Sequence, residues 1–252
     1  YLKSRATAEA LVRESGLEVT GLEALRDFEG LDGALHGYKV DVAKAMLEVC
    51  AEIGGRLVLV EASGSAHASG DPASVTRDLC KLAMLAVPLG IRLAYKGQPW
   101  SRTARDFRQA ADLVLRAGAP NLGVAVDAFD VLAGGVPQED LDILDPGQTF
   151  LVQISDYLWQ QVRSVEEEKA TAAHFRVFPG EGVHSEQLVE LLLKLDRLGY
   201  EGDYSFEVFN DDYVQMPLDF VAQRGRRSAL WLAEDILRRS VPLPGEMRLK
   251  GR

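Results

Sequence analysis

The sequence is poor in cysteine and in positive charge, and it has no long apolar run. Its two cysteines, Cys50 and Cys80, fall inside helical patterns, so we expect thiols rather than a disulfide bridge. No run approaches the roughly 18 apolar residues of a membrane span, and no signal-peptide pattern opens the chain. We therefore expect a cytoplasmic protein that does not act on a membrane.

Acidic residues outnumber basic ones by 38 to 28, which gives a formal net charge of -10. Binding to a phosphate backbone needs clustered Lys and Arg, so this balance argues against a nucleic-acid partner. No glycine-rich phosphate loop of either standard spacing follows an apolar run, which argues against a nucleotide fold. An enzyme that acts on a small molecule fits these exclusions best.

Apolar strand-like runs alternate along the chain with amphipathic helical stretches, the order typical of βα units and a parallel sheet. Strands are predicted at residues 18–25, 56–61, 92–96, 122–127, 150–154 and 204–209. Helices are predicted at residues 5–14, 38–53, 72–89, 104–116, 186–198 and 219–238, most of them followed closely by a glycine that can end a helix.

The 252 residues are enough for one large domain, and no change in composition marks a domain boundary. We predict a single domain over residues 1–252, with 241–252 as an exposed tail because prolines and basic residues concentrate there. A helix precedes the first predicted strand, and the chain does not open with Met. We therefore expect that one or two βα elements of a barrel are absent from its front.

Three of the apolar runs end in a residue that can ligate a metal. GVAVD ends at Asp127, FLVQ at Gln153 and YSFE at Glu207. Buried parallel strands read as apolar runs, and the chemistry of βα proteins collects at their carboxyl ends. The three side chains are therefore predicted to converge on one site, which favours an enzyme.

Several motifs carry a family resemblance. HFRVFPGEG at residues 174–182 and GYEGDYSFEVFND at residues 199–211 resemble the end of the xylose-isomerase-like TIM-barrel superfamily of sugar isomerases, epimerases and lyases, and most of all the 3-dehydroshikimate dehydratases. LRDFEG, LAYKGQPW, NLGVAVDAFDVLAGG and FLVQISD agree with it in the same order. The resemblance implies an α/β fold, a TIM (β/α)8 barrel whose strands three to eight are the six predicted here.

The resemblance also implies a divalent metal, Mg, Mn or Co, held by four strand-end residues. Asp127, Gln153 and Glu207 match three of those ligand positions. At the fourth, the family pattern Ala-Tyr-Glu has a lysine, Lys96, in place of its glutamate. A protonated lysine has no acceptor atom and repels a cation, so we expect a weak or absent metal.

A second departure follows Asp127, where the family pattern Asp-Ser-Phe-His ends in an aspartate, Asp130. The resemblance gives the replaced histidine an acid/base or substrate-contact role. Lys96 is then a candidate to hold an enolate or to form a Schiff base with a ketone, with Asp130 or a neighbour as the base. Arg26 and Arg176 match residues that clamp the carboxylate of the substrate.

The function implied by the resemblance is a lyase of aromatic catabolism that converts 3-dehydroshikimate to protocatechuate and water, with an altered metal site. One alternative is an isomerase or epimerase of a sugar or cyclic polyol, since the same barrel fold supports many different reactions. Another is a non-catalytic descendant that binds a small acid or a protein, for which the changes at Lys96 and Asp130 argue. The expected partner of either enzyme is a polyhydroxylated keto acid or sugar, and the family's self-association makes a homodimer the expected assembly.

Each of these residues also has a purely structural interpretation. Asp127 and Glu207 are alternatively salt-bridge partners of Lys96 in a cluster without a substrate, and Gln153 is alternatively a satisfied buried amide. The charge run at residues 166–169, EEEK, is predicted to be the solvated face of a helix.

Overall fold

Six parallel strands form one sheet in the computed structural model, which describes residues 5–239. They are β1 (Gly21–Arg26), β2 (Leu57–Glu61), β3 (Arg92–Lys96), β4 (Leu122–Asp127), β5 (Thr149–Ile154) and β6 (Asp203–Phe206). The strands lie side by side in chain order, and each neighbouring pair is parallel. This is a TIM-barrel wall with six of the usual eight strands, as predicted.

Helices connect these strands. They are α1 (Arg5–Ser15), α2 (Gly33–Glu52), α3 (Pro72–Ala86), α4 (Phe107–Ala117), α5 (Ala128–Ala133), α6 (Val165–His174), α7 (Ser185–Leu198), α8 (Asp211–Gln215) and α9 (Leu218–Leu230). Short 3-10 turns occupy Val87–Leu89, Gln138–Ile143 and Pro146–Gln148, and a π-helical stretch at Trp231–Ile236 continues α9.

The predicted strands are all confirmed, and only their ends differ. The first begins at Gly21 rather than at residue 18, because its pairing with β2 starts where Gly21 lies opposite Leu57. The last ends at Phe206 rather than at residue 209, because its pairing with β5 stops there. The two shortest helices, α5 and α8, were not predicted, since each begins almost directly after a strand.

Local signals explain where the helices begin and end. The Asp106 side chain caps α4 by accepting hydrogen bonds from two backbone amides of its first turn, and the Asp71 side chain caps α3. Gly118 and Gly199 end α4 and α7 in the left-handed conformation, with φ of 60° and 90°. Glycine adopts this conformation without the penalty of a Cβ atom, which fixes both helix ends.

Alternate residues of each strand face two different environments. Val58 and Val60 of β2 belong to the main core under the helices, whereas Leu57 and Leu59 belong to a smaller apolar cluster inside the barrel. We call this cluster the inner apolar layer; it comprises Leu57, Leu59, Ala94, Ala125, Phe150 and Leu151. The polar side chains at the strand ends therefore lie directly above the inner apolar layer.

The remaining expectations at this level concern thiols, membranes and the tail. Cys50 and Cys80 are both free thiols, as predicted. Among residues 5–239, no helix combines the length and the apolar character that crossing a membrane requires. The tail predicted at residues 241–252 lies outside the described residues.

Candidate active site

The polar ends of neighbouring strands meet at one end of the sheet. Register places Glu61 of β2 opposite Lys96 of β3, and Asp127 of β4 opposite Gln153 of β5. All four side chains are buried, and so is Glu207, which directly follows β6. The convergence expected from the sequence is therefore present in the structure.

Lys96 occupies the centre of this group. Its ammonium donates a hydrogen bond to Oε1 of Gln153 at 2.8 Å and lies 3.6 Å from carboxylate oxygens of Asp127 and Glu61. The residue is only 3% exposed. Burial opposes its charge, but the surrounding carboxylates, Asp127 foremost, outweigh burial and raise the pKa of Lys96 above its ordinary value. Lys96 is therefore a fixed cation rather than a free amine.

Asp127 is held by a second cation. Nη1 of Arg176 donates to Oδ2 of Asp127 at 2.8 Å, and the backbone N–H of Phe129 donates to Oδ1 at 3.0 Å. The guanidinium also lies 4.3 Å above the centre of the Phe129 ring. Burial favours the neutral form of Asp127, yet Arg176 and Lys96 lower its pKa below the usual range. Both of its oxygens already have partners.

Gln153 links the lysine to the acidic side of the group. Its Nε2 donates to Oε2 of Glu207 and to Oε1 of Glu23, each at 2.9 Å, while its Oε1 accepts from Lys96. Burial raises the pKa of Glu207 to about 8, although Lys96 opposes the shift. Burial therefore favours the protonated form of Glu207, and both polar atoms of the Gln153 amide have partners.

Asp130 lies in the first turn of α5, close to Arg176. Neither of its carboxyl oxygens has a hydrogen-bond partner among the described residues, and the nearest cation, Nη2 of Arg176, is 3.9 Å away. Burial and the charge of Asp127 raise the pKa of Asp130 well above its ordinary value. Asp130 is thus a buried acid that favours its protonated form.

Glu61 belongs to the site, although it was not among the predicted site residues. Its carboxylate lies between two cations, accepting a hydrogen bond from Nε of Arg26 at 2.7 Å and facing Lys96. Arg26, a predicted substrate contact, is exposed at the rim. The apolar run LVLVE ends at Glu61, so the rule that identified Asp127 also applies to it.

The charge run on α6 requires a correction. Three of its residues are exposed as predicted, but Glu168 is 5% exposed and points into the protein. Burial raises its pKa to about 7, against the opposing charge of Arg176. The buried residues of α6 are Glu168, Thr171 and Ala172, a helical i, i+3, i+4 spacing that the sequence contains and that would have identified the buried face.

A cavity of about 460 Å³ opens above these side chains, a size that suits a small polar ligand. Lys96, Asp130, Arg176 and Glu207 line its inner part. Its other lining residues are Arg26, Asp27, Glu61, Gly64, Ser65, Gln98, Trp100, Lys169, Ala172, Ala173 and Phe209. The site can thus present a fixed ammonium to a ligand oxygen beside two carboxyl groups, Asp130 and Glu207, whose pKa values burial raises.

In residues 5–239, no three or more His, Cys, Asp and Glu side chains are grouped so that they could hold a metal ion. The predicted ligands Asp127, Gln153 and Glu207 lie together, but Asp127 accepts hydrogen bonds from Arg176 and a backbone N–H, and the side-chain oxygen of Gln153 accepts one from Lys96. The ammonium of Lys96 lies 3.6 Å from Oδ2 of Asp127, the predicted ligand at the end of β4.

Comparison with known proteins gives consistent matches. A family model described as xylose isomerase-like TIM barrel matches residues 1–234. A 3-dehydroshikimate dehydratase of Pseudomonas aeruginosa is 35% identical over 236 residues, which are 93% of this chain and 36% of that protein. An inosose isomerase of Bacillus licheniformis is 27% identical over 86% of this chain and 77% of that protein. The chain therefore spans about a third of the length of the dehydratase it matches.

Solved structures agree with the fold. A fusion protein of a xylose isomerase-like TIM barrel and a 4-hydroxyphenylpyruvate dioxygenase superposes with a TM-score of 0.84 at 30% identity, covering 94% of this chain and 38% of that one. The IOLI protein, whose crystal structure includes a bound zinc atom, superposes with a TM-score of 0.77 at 21% identity, covering 90% of this chain and 82% of that one.

Proposed function

The chain belongs to the xylose isomerase-like TIM barrel family, and we propose that it acts as a lyase of the 3-dehydroshikimate dehydratase type that uses a lysine where a metal ligand is expected. The observation that carries this proposal is the buried ammonium of Lys96, fixed between Gln153, Asp127 and Glu61 at the base of the cavity. The 35% identity to a dehydratase supports the reaction class.

The side chains present do not fit a divalent cation. Asp127 gives one oxygen to Arg176 and the other to a backbone N–H, and Gln153 gives its oxygen to Lys96. A metal at this point would stand beside an ammonium, and like charges at short range in a buried site cost several kcal/mol by order of magnitude. In the proposed reaction Lys96 therefore takes the electrostatic place of a metal.

In the proposed reaction a carboxylate removes the proton next to the ketone, the C–H electron pair becomes the C=C bond of an enolate, and the π electron pair of the carbonyl moves to the ketone oxygen. Lys96 donates a hydrogen bond to this enolate oxygen, where negative charge develops. The carbonyl then re-forms as the C–O bond at the β carbon breaks, and the leaving hydroxide takes a proton from an acid to become water. Tautomerisation of the resulting dienone gives the aromatic ring of protocatechuate.

Asp130 is the proposed proton-transfer group. A carboxyl whose pKa is raised is a stronger base when ionised and an available acid when protonated. Burial and Asp127 create that condition for Asp130, which lines the cavity. Arg26 is exposed at the rim and is the proposed first contact of the substrate carboxylate, whereas Arg176 reaches the cavity from a buried position beside Asp127.

The test combines an ultraviolet assay for protocatechuate with metal analysis of the purified protein. We expect turnover of 3-dehydroshikimate that persists after treatment with a chelator. We also expect no borohydride-trapped adduct on Lys96, because a lysine that stays protonated does not attack a ketone. Stoichiometric Mg, Mn or Co together with loss of turnover on chelation would overturn the role given to Lys96.

A second candidate is a non-catalytic pocket that binds a small acid. It is favoured by the fact that Asp127 and Gln153 direct their oxygens to the chain's own donors. An isomerase of a cyclic polyol is the remaining enzyme candidate, supported by the match to an inosose isomerase. Binding of 3-dehydroshikimate without product would select the first of these, and conversion of inosose without conversion of 3-dehydroshikimate would select the second.

A further inference from the structure

Three polar atoms at the inner wall of the cavity have no hydrogen-bond partner among residues 5–239. They are the two carboxyl oxygens of Asp130 and Nε of Arg176. Both side chains are at least nine-tenths buried, and both line the cavity. Buried polar groups in proteins nearly always have hydrogen-bond partners. A group of unpartnered atoms beside a cavity therefore indicates that a bound ligand supplies the missing partners.

A second buried aspartate provides the contrast. Asp156 is fully buried, and its Oδ1 accepts hydrogen bonds from the backbone N–H groups of Tyr157 and His184 at 2.7 and 3.1 Å. Its Oδ2 accepts from the hydroxyl of Ser185 at 3.0 Å. Asp156 is therefore satisfied within the protein, while Asp130, buried to a similar degree, is not.

We propose that Asp130 and Nε of Arg176 form a hydroxyl subsite that determines which polyol the pocket accepts. A hydroxyl is the group that fits, because it donates and accepts at once, whereas a carboxylate only accepts. Nε of Arg176 is a donor, and a carboxyl oxygen of Asp130 is an acceptor. The inference rests on the proposed function for the rest of the ligand, which it deepens by assigning one ring hydroxyl to these two residues.

The position of the subsite limits the ligand. Lys96 and Arg176 both approach the same atom, Oδ2 of Asp127, at 3.6 and 2.8 Å. A ligand oxygen at Lys96 and a hydroxyl at the subsite are therefore only a few bonds apart. This spacing suits a ring that carries a ketone and a hydroxyl on neighbouring or next-neighbouring carbons, and it makes Asp130 a selector between hydroxylated and deoxy rings.

The binding experiment uses calorimetry with shikimate, which lacks the ketone and is not turned over by the proposed route, and with analogues that each lack one ring hydroxyl. We expect one analogue to bind the full chain about 10-fold more weakly than shikimate or worse. Asp130→Leu should abolish that difference, and Asp130→Asn, which keeps an acceptor, should retain most of it. Equal binding of all analogues, or an unchanged pattern in Asp130→Leu, would overturn the subsite.

A thermal unfolding measurement separates this inference from the proposed function. Asp130→Asn should leave Tm unchanged or raise it, because no internal hydrogen bond is lost. Asp156→Asn, the matched control, should lower Tm by roughly 3–8 °C because it disrupts a satisfied carboxylate. If the analogues differ in affinity and Asp130→Leu abolishes that difference, but 3-dehydroshikimate is not turned over, the proposed reaction fails and the subsite stands. If Asp130→Asn lowers Tm as much as Asp156→Asn does, Asp130 is structural and the subsite fails.

Discussion

The inner apolar layer and the polar layer above it come from the same strands, two residues apart. Leu59 and Glu61 lie on one face of β2, and Ala94 and Lys96 lie on one face of β3. Ala125 is followed in the same way by Asp127, and Leu151 by Gln153. A spacing of two residues along each strand therefore separates hydrophobic packing from buried polar or charged side chains.

Burial in the two layers contributes differently to the free energy of folding. Burying a leucine side chain stabilises the fold by about 1.5–3 kcal/mol, whereas burying a charge costs free energy unless partners compensate it. The lower layer therefore contributes to stability. The upper layer contributes little or opposes it, and its arrangement around a cavity is what a function would require.

Leu59→Ala should have the largest effect on stability among the single changes considered. Leu59 is 1% exposed in the inner apolar layer, and removing its side chain leaves a cavity there. We therefore expect the free energy of unfolding to fall by about 2–5 kcal/mol. Urea unfolding measures the loss. Leu115→Ala is the control, because Leu115 is 72% exposed on α4. A change below about 1 kcal/mol at Leu59 would contradict a packed lower layer.

Lys96→Met tests the upper layer through catalysis rather than stability. Removal of one preorganised donor to a developing oxyanion lowers kcat by about 10²–10³-fold, or about 3–4 kcal/mol, and we expect that loss in protocatechuate formation. Lys44→Met, on the exposed face of α2, should retain full activity. Unchanged kcat in Lys96→Met would show that the ammonium holds no reacting atom.

Lys96→Glu should convert the fixed cation into a metal ligand. The variant would place four oxygen-bearing side chains at the ends of β3 to β6, the other three being Asp127, Gln153 and Glu207. We expect affinity for Mn²⁺ to rise on the order of 100-fold, or about 3 kcal/mol, when measured by titration calorimetry. Lys96→Gln, which removes the charge without adding a carboxylate, should gain less. No gain in either variant would mean that the alignment of β3 with the family pattern is wrong.

The convergence of the upper layer could be predicted because it follows from local pattern alone. An apolar run indicates a buried strand, and the polar residue that ends the run lies at the carboxyl end of that strand. Asp127, Gln153 and Glu207 were therefore identified without any tertiary information. The same rule applies to Glu61, whose run LVLVE is equally clear. It was not among the predicted site residues, because the resemblance places the four expected metal ligands at the ends of other strands.

The partners of these residues could not be predicted in the same way. Arg176 lies on the connection between α6 and α7, and its contact with Asp127 depends on how that segment folds back over β4. The burial of Glu168 likewise depends on the rotation of α6 about its axis, which a run of four charged residues does not reveal. Sequence reports which end of the barrel carries the site, whereas tertiary packing decides which charges neutralise one another.

Glu168→Gln offers the smallest effect and the one most sensitive to pH. Burial raises the pKa of Glu168 to about 7, so the folded state favours the protonated form. Its stabilising contribution is complete below the unfolded pKa near 4.5 and is lost as pH rises through 7. Glutamine mimics the protonated form, so the variant should match the parent in Tm at pH 5 and exceed it at pH 8. Glu166→Gln, exposed on the same helix, should show no such dependence. An equal difference at both pH values would mean that Glu168 ionises with an ordinary pKa. The ionised Glu168 would then be a further buried negative charge near Arg176, besides the carboxyl groups of Asp127 and Asp130.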